Sequence, residues 1–252
     1  MTVDVGAANP GATALQFYSN NSGAVRECRF IAGDGSGAVG LDLGHRDMNG
    51  PLLVRNCEVI GFRVGIATGH AVNSQVFENI ALRGQRQIGF ENTGQPISIR
   101  RLTSENSVPA LATYGHLCLL EATLKGHGGA SSAPAIVNYN GGRIFLRDIR
   151  TTGYGRALAD IQTPDFAAAY RVTGPDRPGS EGPTIQEYCS QPTTSPFPSP
   201  PTSLRLPVKE TPAITWEPPS AWVNGDDLGA DPSGNADSSA AIQKAMDSGT
   251  ST

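Results

Sequence analysis

The chain has little of what most fold classes need. Of its 252 residues 17 % are charged and 6 % are aromatic, with two tryptophans, three methionines and four cysteines. No run of about 18 apolar residues occurs, so nothing is expected to span a membrane. Residues 1–20 lack the basic start and apolar core of a signal peptide. The net charge is −4, and no basic stripe interleaved with aromatics appears, which argues against a nucleic-acid partner. The cysteine spacings match no zinc pattern, so neither a metal nor a cofactor is expected. Helical spacing of apolar residues is also missing from the first 160 residues. Glycine is plentiful, with 30 residues, which suits an all-β fold with many corners.

What is present is a short line written seven times: a small residue, an apolar one, any residue, then an apolar residue or Thr, Asn or Asp. The copies begin at Ala14, Gly40, Gly65, Gly89, Ala110, Ala135 and Ala157, spaced 26, 25, 24, 21, 25 and 22 residues apart. A second line lies between them, as in Val25-Arg26-Glu27-Cys28, Val54-Arg55-Asn56-Cys57, Phe77-Glu78-Asn79-Ile80, Ile99-Arg100-Arg101-Leu102, Leu119-Leu120-Glu121-Ala122 and Leu146-Arg147-Asp148-Ile149. Both lines alternate apolar and polar residues with a strand period. A fixed period in the low twenties marks a solenoid. Two or three short strands per turn predict a right-handed parallel β-helix of the pectin-lyase-like kind. Leu41, Ile66, Phe90, Leu111, Ile136 and Leu158 should form one buried column. Val54, Phe77, Ile99, Leu119 and Leu146 should form another.

The β-helix is expected over 1–160. The first copy at Ala14 has no capping segment before it, which reads as N-terminal truncation. Residues 161–219 hold 13 of the 19 prolines, so 161–221 reads as a Pro-rich connector. Leu204, Leu206, Val208, Ile214, Trp216 and Trp222 could anchor it as a strap. Residues 222–252 start a new unit: a strand at Trp222-Val223-Asn224, a Gly/Asp loop, and a helix capped by Asp237 or Ser238. Ala241, Ile242, Ala245 and Met246 share one face of that helix, and Gly249 is its expected stop.

This last stretch resembles the opening motif of the pectate-lyase-like superfamily. The turn Asp227-Leu228-Gly229-Ala230, with Leu in place of the usual Phe, precedes the helix Ser238–Ala245. The segment from Ser203 to Pro212, followed by Trp222-Val223-Asn224, is similar to the connector of tandem β-helix proteins such as glycoside hydrolase family 55 exo-β-1,3-glucanases. The resemblance implies a secreted or extracellular parent protein and a second β-helix, absent here, as the partner of the first. It also places the catalytic acid of that family in the absent half, so no catalytic residue is carried over.

Candidate contacts to a polysaccharide come from the repeat itself. Asp42 and Glu91 share an outward register position two turns apart. That is roughly 9.6 Å, at the upper edge of the spacing used by inverting glycosidases. His45, His70 and His116 each follow a Gly at a similar corner, with Gln95 in the remaining turn. They could line a saccharide groove or serve only the corners, and the structural reading is favoured. Asn56 and Asn79 stack with Glu27, Arg101, Glu121 and Asp148 in a column read as structural. Cys28 and Cys57 share a register position, so a disulfide is possible in principle. A stack of small buried side chains is favoured, because Ile80, Leu102, Ala122 and Ile149 continue it. Two functions follow. The chain is either the non-catalytic part of a polysaccharide-degrading hydrolase or lyase, or a carbohydrate-binding or adhesion module without enzymatic activity.

Overall fold

The computed structural model describes residues 1–139, 142–161, 182–191, 196–198, 204–210, 212, 215 and 217–248. The chain divides into two compact units, residues 1–201 and 202–252. The first opens with β1 (Thr2–Asp4), β2 (Thr13–Gln16), β3 (Ala24–Arg26), β4 (Arg29–Ile31), β5 (Val39–Asp42), β6 (Leu52–Ile60) and β7 (Val64–Thr68). It continues through β8 (Gln75–Arg83), β9 (Ile88–Asn92), β10 (Ile97–Asn106), β11 (Leu111–Thr113), β12 (Leu117–Leu120) and β13 (Thr123–Gly126). After a 3-10 turn at Gly128–Ser132 come β14 (Pro134–Tyr139), β15 (Ile144–Thr152), β16 (Arg156–Ile161) and β17 (Thr184–Cys189).

The strands build a parallel β-helix. One sheet runs β2-β5-β7-β9-β11-β14-β16 in unbroken chain order, one strand for each copy of the first repeated line. Its register stacks Leu15, Leu41, Ile66, Phe90, Leu111, Ile136 and Leu158, as the repeat predicts. The second line supplies a ten-stranded sheet, in which Val54, Phe77, Ile99, Leu119 and Leu146 stack as predicted. Both columns face one shared apolar core.

Each second line is sharply bent at its middle. Glu27, Asn56, Asn79, Arg101, Glu121 and Asp148 all adopt left-handed backbone, with φ between 53° and 58°. The expected Asn column is therefore a corner. It splits the ten-stranded sheet into a second and a third face, giving each turn three sides. Asn and Asp tolerate this conformation, whereas Glu and Arg adopt it at a cost of about 1–2 kcal/mol each. Side-chain hydrogen bonds run along the corner. Asn79 Nδ2 donates to Asn56 Oδ1 at 2.8 Å, and Asn56 Nδ2 donates to Glu27 Oε1.

Where the first line opens on glycine, turn-to-turn contact explains it. A Cβ at Gly65 would stand 2.4 Å from Gly89 O, and one at Gly40 would stand 2.7 Å from Gly65 O. The fourth position of the line, read as apolar or polar, holds a buried ladder. Thr68 Oγ1 donates to Asn92 Oδ1, Asn92 Nδ2 to Thr113 Oγ1, and Asn138 Nδ2 to Asp160 Oδ1, each at 3.0 Å. Most of these buried polar groups satisfy one another and are tolerated for that reason, although Asn138 Oδ1 has no partner among the described residues.

Within the expected 161–221 connector, β17 pairs antiparallel with β15 and so covers the edge of the last turn. Ile185 and Tyr188 are buried there, and Tyr188 O–H donates to Asp160 Oδ2 at 2.8 Å. Much of the connector, including Ile214 and Trp216, lies outside the described residues, as does Gly249. Leu204, Leu206, Val208 and Trp222 are exposed.

In the second unit, residues 222–224 form no strand, contrary to the sequence reading, and among the described residues no strand pairs with them. A 3-10 turn at Asp226–Leu228 ends on Gly229 in left-handed conformation, φ 93°. Helix α1 (Ser239–Ser248) follows. Asp237 Oδ1 accepts from Ser239 N at 2.9 Å, the expected capping arrangement. Ala241 is buried, while Ile242 and Met246 on the same face are exposed.

Candidate functional site

Asp42 and Glu91 occupy one outward column of the first face, Gln16-Asp42-Ala67-Glu91-Ala112. Their chemistry differs. Asp42 Oδ1 accepts from Gly44 N and Oδ2 from Gln16 Nε2, both at 3.0 Å, so both its oxygens are engaged. Glu91 is half-buried, flanked in its column by Ala67 and Ala112. Burial pushes its carboxyl above the ordinary 4.5, and the Arg63 guanidinium pulls the other way. Burial, and then the charge of Glu91, push the Tyr114 phenol up. Tyr114 stacks on Tyr139 with ring centroids 4.5 Å apart.

The histidines divide. His45 Nδ1 lies 3.2 Å from Asp42 O, and His70 Nε2 lies 3.2 Å from Gly44 O. His70 Nδ1 also comes within 3.7 Å of Asp47 Oδ1. Asp42, His45 and His70 therefore meet at one corner through backbone contacts. Gln95, in the next turn, is fully buried and donates Nε2 to Val72 O and Asn73 O at 2.7 and 2.6 Å. The preceding glycines are set by stacking, since a Cβ at Gly115 would fall 2.7 Å from Gly94 C. His116 is exposed on the rim of a separate groove on the second face, of about 420 Å³, lined by Ile97, Cys118, Ile144, Phe145 and Cys189. Burial pushes the Cys118 thiol up, against the pull of Arg147, so it is a poor nucleophile at neutral pH.

The third face carries an arrangement that the sequence reading passed over. Register places Ala81, Thr103, Thr123 and Arg150 in one outward column. Arg83, Glu105, Lys125 and Thr152 form the column beside it. Neighbouring members of a column sit one strand spacing apart, about 4.8 Å. Two grooves of about 230 Å³ each follow this grid and share Thr123. The first is lined by Arg83, Thr103, Glu105, Thr123 and Lys125. The second is lined by Glu121, Thr123, Asp148 and Arg150.

Ion pairing occupies only part of the grid. Arg83 bridges Glu58 at 3.0 Å and Glu105 at 3.2 Å, and Arg29 holds Glu58 at 2.8 Å. Glu121 is held by Arg100 and Arg101 at 3.2 and 3.1 Å. Thr103 Oγ1 donates to Ile80 O at 3.3 Å. The Thr123 hydroxyl, the Lys125 ammonium and the Arg150 guanidinium make no side-chain hydrogen bond or ion pair among the described residues. They form the cluster of uncommitted polar groups along the grooves. Among the described residues no group of three or more His, Cys, Asp or Glu side chains is placed to hold a metal ion.

Strand alternation alone marks these side chains as outward, like any solvent-facing position. Only the register across four strands brings them together. Compared with protein-family models, curated proteins and solved structures, the chain gives no match in any of the three.

Proposed function

We propose that the chain is a carbohydrate-binding β-helix, the non-catalytic part of a polysaccharide-acting protein. The observation that carries this reading is the groove-lined grid of Thr103, Glu105, Thr123, Lys125 and Arg150 on the third face. Sugars are recognised by dense, directional donors and acceptors, and this grid offers hydroxyl, carboxylate, ammonium and guanidinium groups side by side. Its spacing of one turn is close to the length of one sugar ring. A glycan laid along the helix axis would therefore meet equivalent side chains at successive residues. The parallel β-helix is compatible with polysaccharide-acting and polysaccharide-binding proteins, although fold alone does not decide function.

The resemblance of 203–245 to the connector and cap of tandem β-helix glucanases supports a secreted parent with a second β-helix. Asp42, Glu91, His45, His70 and His116 then become secondary contacts. The Asp42 carboxylate is already engaged within the fold, and His116 stands beside a different groove. A glycan panel spanning β-1,3-glucan, xylan and galacturonan, read by titration calorimetry, tests the proposal. Binding to at least one glycan, weakened in Thr123→Val and Arg150→Ala, is expected. Absence of binding to the whole panel, or binding indifferent to both substitutions, would overturn it.

A further inference from the structure

Cys28 and Cys57 face each other across the first two turns. Arg26 pairs with Arg55 and Arg29 with Glu58, so the same register sets Cys28 against Cys57. Glu58 N donates to Cys28 O at 2.9 Å, which holds the two backbones together at this point. Both side chains enter the core, with 6 % and 2 % exposure, and both thiols are free. Paired residues of adjacent parallel strands lie about 4.8 Å apart, inside the roughly 4.4–6.8 Å that a disulfide spans between Cα atoms. Cys57 Sγ lies 3.6 Å from Val25 O, a carbonyl of the turn that carries Cys28. Its shorter contact, 3.3 Å, is to Arg55 O of its own turn, so the sulfur lies between the two turns.

From this register and burial we propose that Cys28 and Cys57 are a latent cross-turn disulfide, a redox-sensitive lock on the first two turns of the β-helix. The reaction is thiol–disulfide exchange with a low-molecular-weight disulfide. Cys28, the less buried of the two, loses its proton and attacks one sulfur of oxidised glutathione, releasing the other half as a thiolate that takes up the proton. The Cys57 thiolate then attacks the Cys28 sulfur of the mixed disulfide and releases the second glutathione. Two protein thiols are oxidised, one glutathione disulfide is reduced to two thiols, and no other reagent is consumed. Burial holds the Cys57 thiol up at about 11, so the second step is slow at neutral pH and the lock closes only under sustained oxidising conditions.

The product crosslinks about 30 residues of chain, which constrains the unfolded state. The test incubates the folded protein with oxidised glutathione at mildly alkaline pH, then maps disulfides by mass spectrometry and follows thermal unfolding. The expected result is a linked peptide pair containing Cys28 and Cys57 and a midpoint higher by about 5–10 °C, reversed by dithiothreitol. A Cys118→Ala/Cys189→Ala double variant should keep the full shift. Cys57→Ala should abolish it; alanine suits this column, because Ala122 occupies it further along the helix. Recovery of Cys28 and Cys57 as unlinked thiols, with glutathione only on exposed Cys189, would overturn the proposal. So would a midpoint shift that survives in Cys57→Ala.

Discussion

Phe90→Ala probes the core where the columns meet. Phe90 is fully buried in β9, between Ile66 and Leu111 of the adjacent strands, and contacts Phe77 of the second face edge-on with ring centroids 4.8 Å apart. Truncating a buried Phe removes its transfer energy and leaves a cavity, together about 3–5 kcal/mol. The edge-on pair with Phe77 places this site towards the upper end, since such pairs add about 0.5–1.5 kcal/mol beyond their burial. In a domain of this size about 4 kcal/mol lowers the unfolding midpoint by roughly 8–16 °C. The same truncation at Leu15, one end of the same column and only partly buried, should cost about 1 kcal/mol. Urea unfolding followed by far-ultraviolet circular dichroism measures both. Equal losses at the two positions, or a loss below about 1 kcal/mol at Phe90, would refute the stacked-column core.

Other expectations follow from particular contacts. Gly65→Ala should destabilise by about 1–3 kcal/mol in the same assay, because its Cβ would meet a backbone oxygen that cannot swing aside. Glu91→Gln should match the parent at acid pH and become relatively more stable as pH rises above 4.5. A carboxyl whose folded pKa is raised contributes stability that is complete below its unfolded value and lost as pH climbs through the folded one. Denaturant midpoints of both proteins between pH 3.5 and 7 check this, and a pH-independent difference would contradict the burial of Glu91. Residues 1–252 alone should release no reducing ends from β-1,3-glucan, pectin or xylan. Turnover that disappears in Asp42→Asn or Glu91→Gln would instead assign chemistry to the first face.

The core was legible because it repeats. Small residues at Gly40, Gly65 and Gly89 and the apolar residues after them recur for a reason the structure supplies: in these three turns backbone passes close over backbone at that point. The bend at the middle of the second line was half legible. Asn56, Asn79 and Asp148 are ordinary left-handed residues, but Glu27, Arg101 and Glu121 carry no local signal for it and are held there by their neighbours in the stack. The strand expected at 222–224 failed because apolar alternation alone cannot make a strand without a partner edge. The histidines shared a sequence context, Gly followed by His, which reflects tight glycine stacking and does not create a common site. The grid on the third face was illegible for a different reason. Thr103, the Thr123/Lys125 pair and Arg150 belong to three successive turns and become neighbours only through the register.

Affinity electrophoresis of the parent and of a Thr123→Val/Lys125→Ala/Arg150→Ala variant, through gels that contain each candidate polysaccharide, tests carbohydrate binding by the third face most directly. Each substitution removes a surface contact without opening the core, so the variant should unfold like the parent. The account predicts that at least one polysaccharide retards the parent and that the variant binds it at least tenfold more weakly, the sum of three lost hydrogen bonds at about 0.5–1.5 kcal/mol each. Equal retardation of the two proteins in every gel would contradict it.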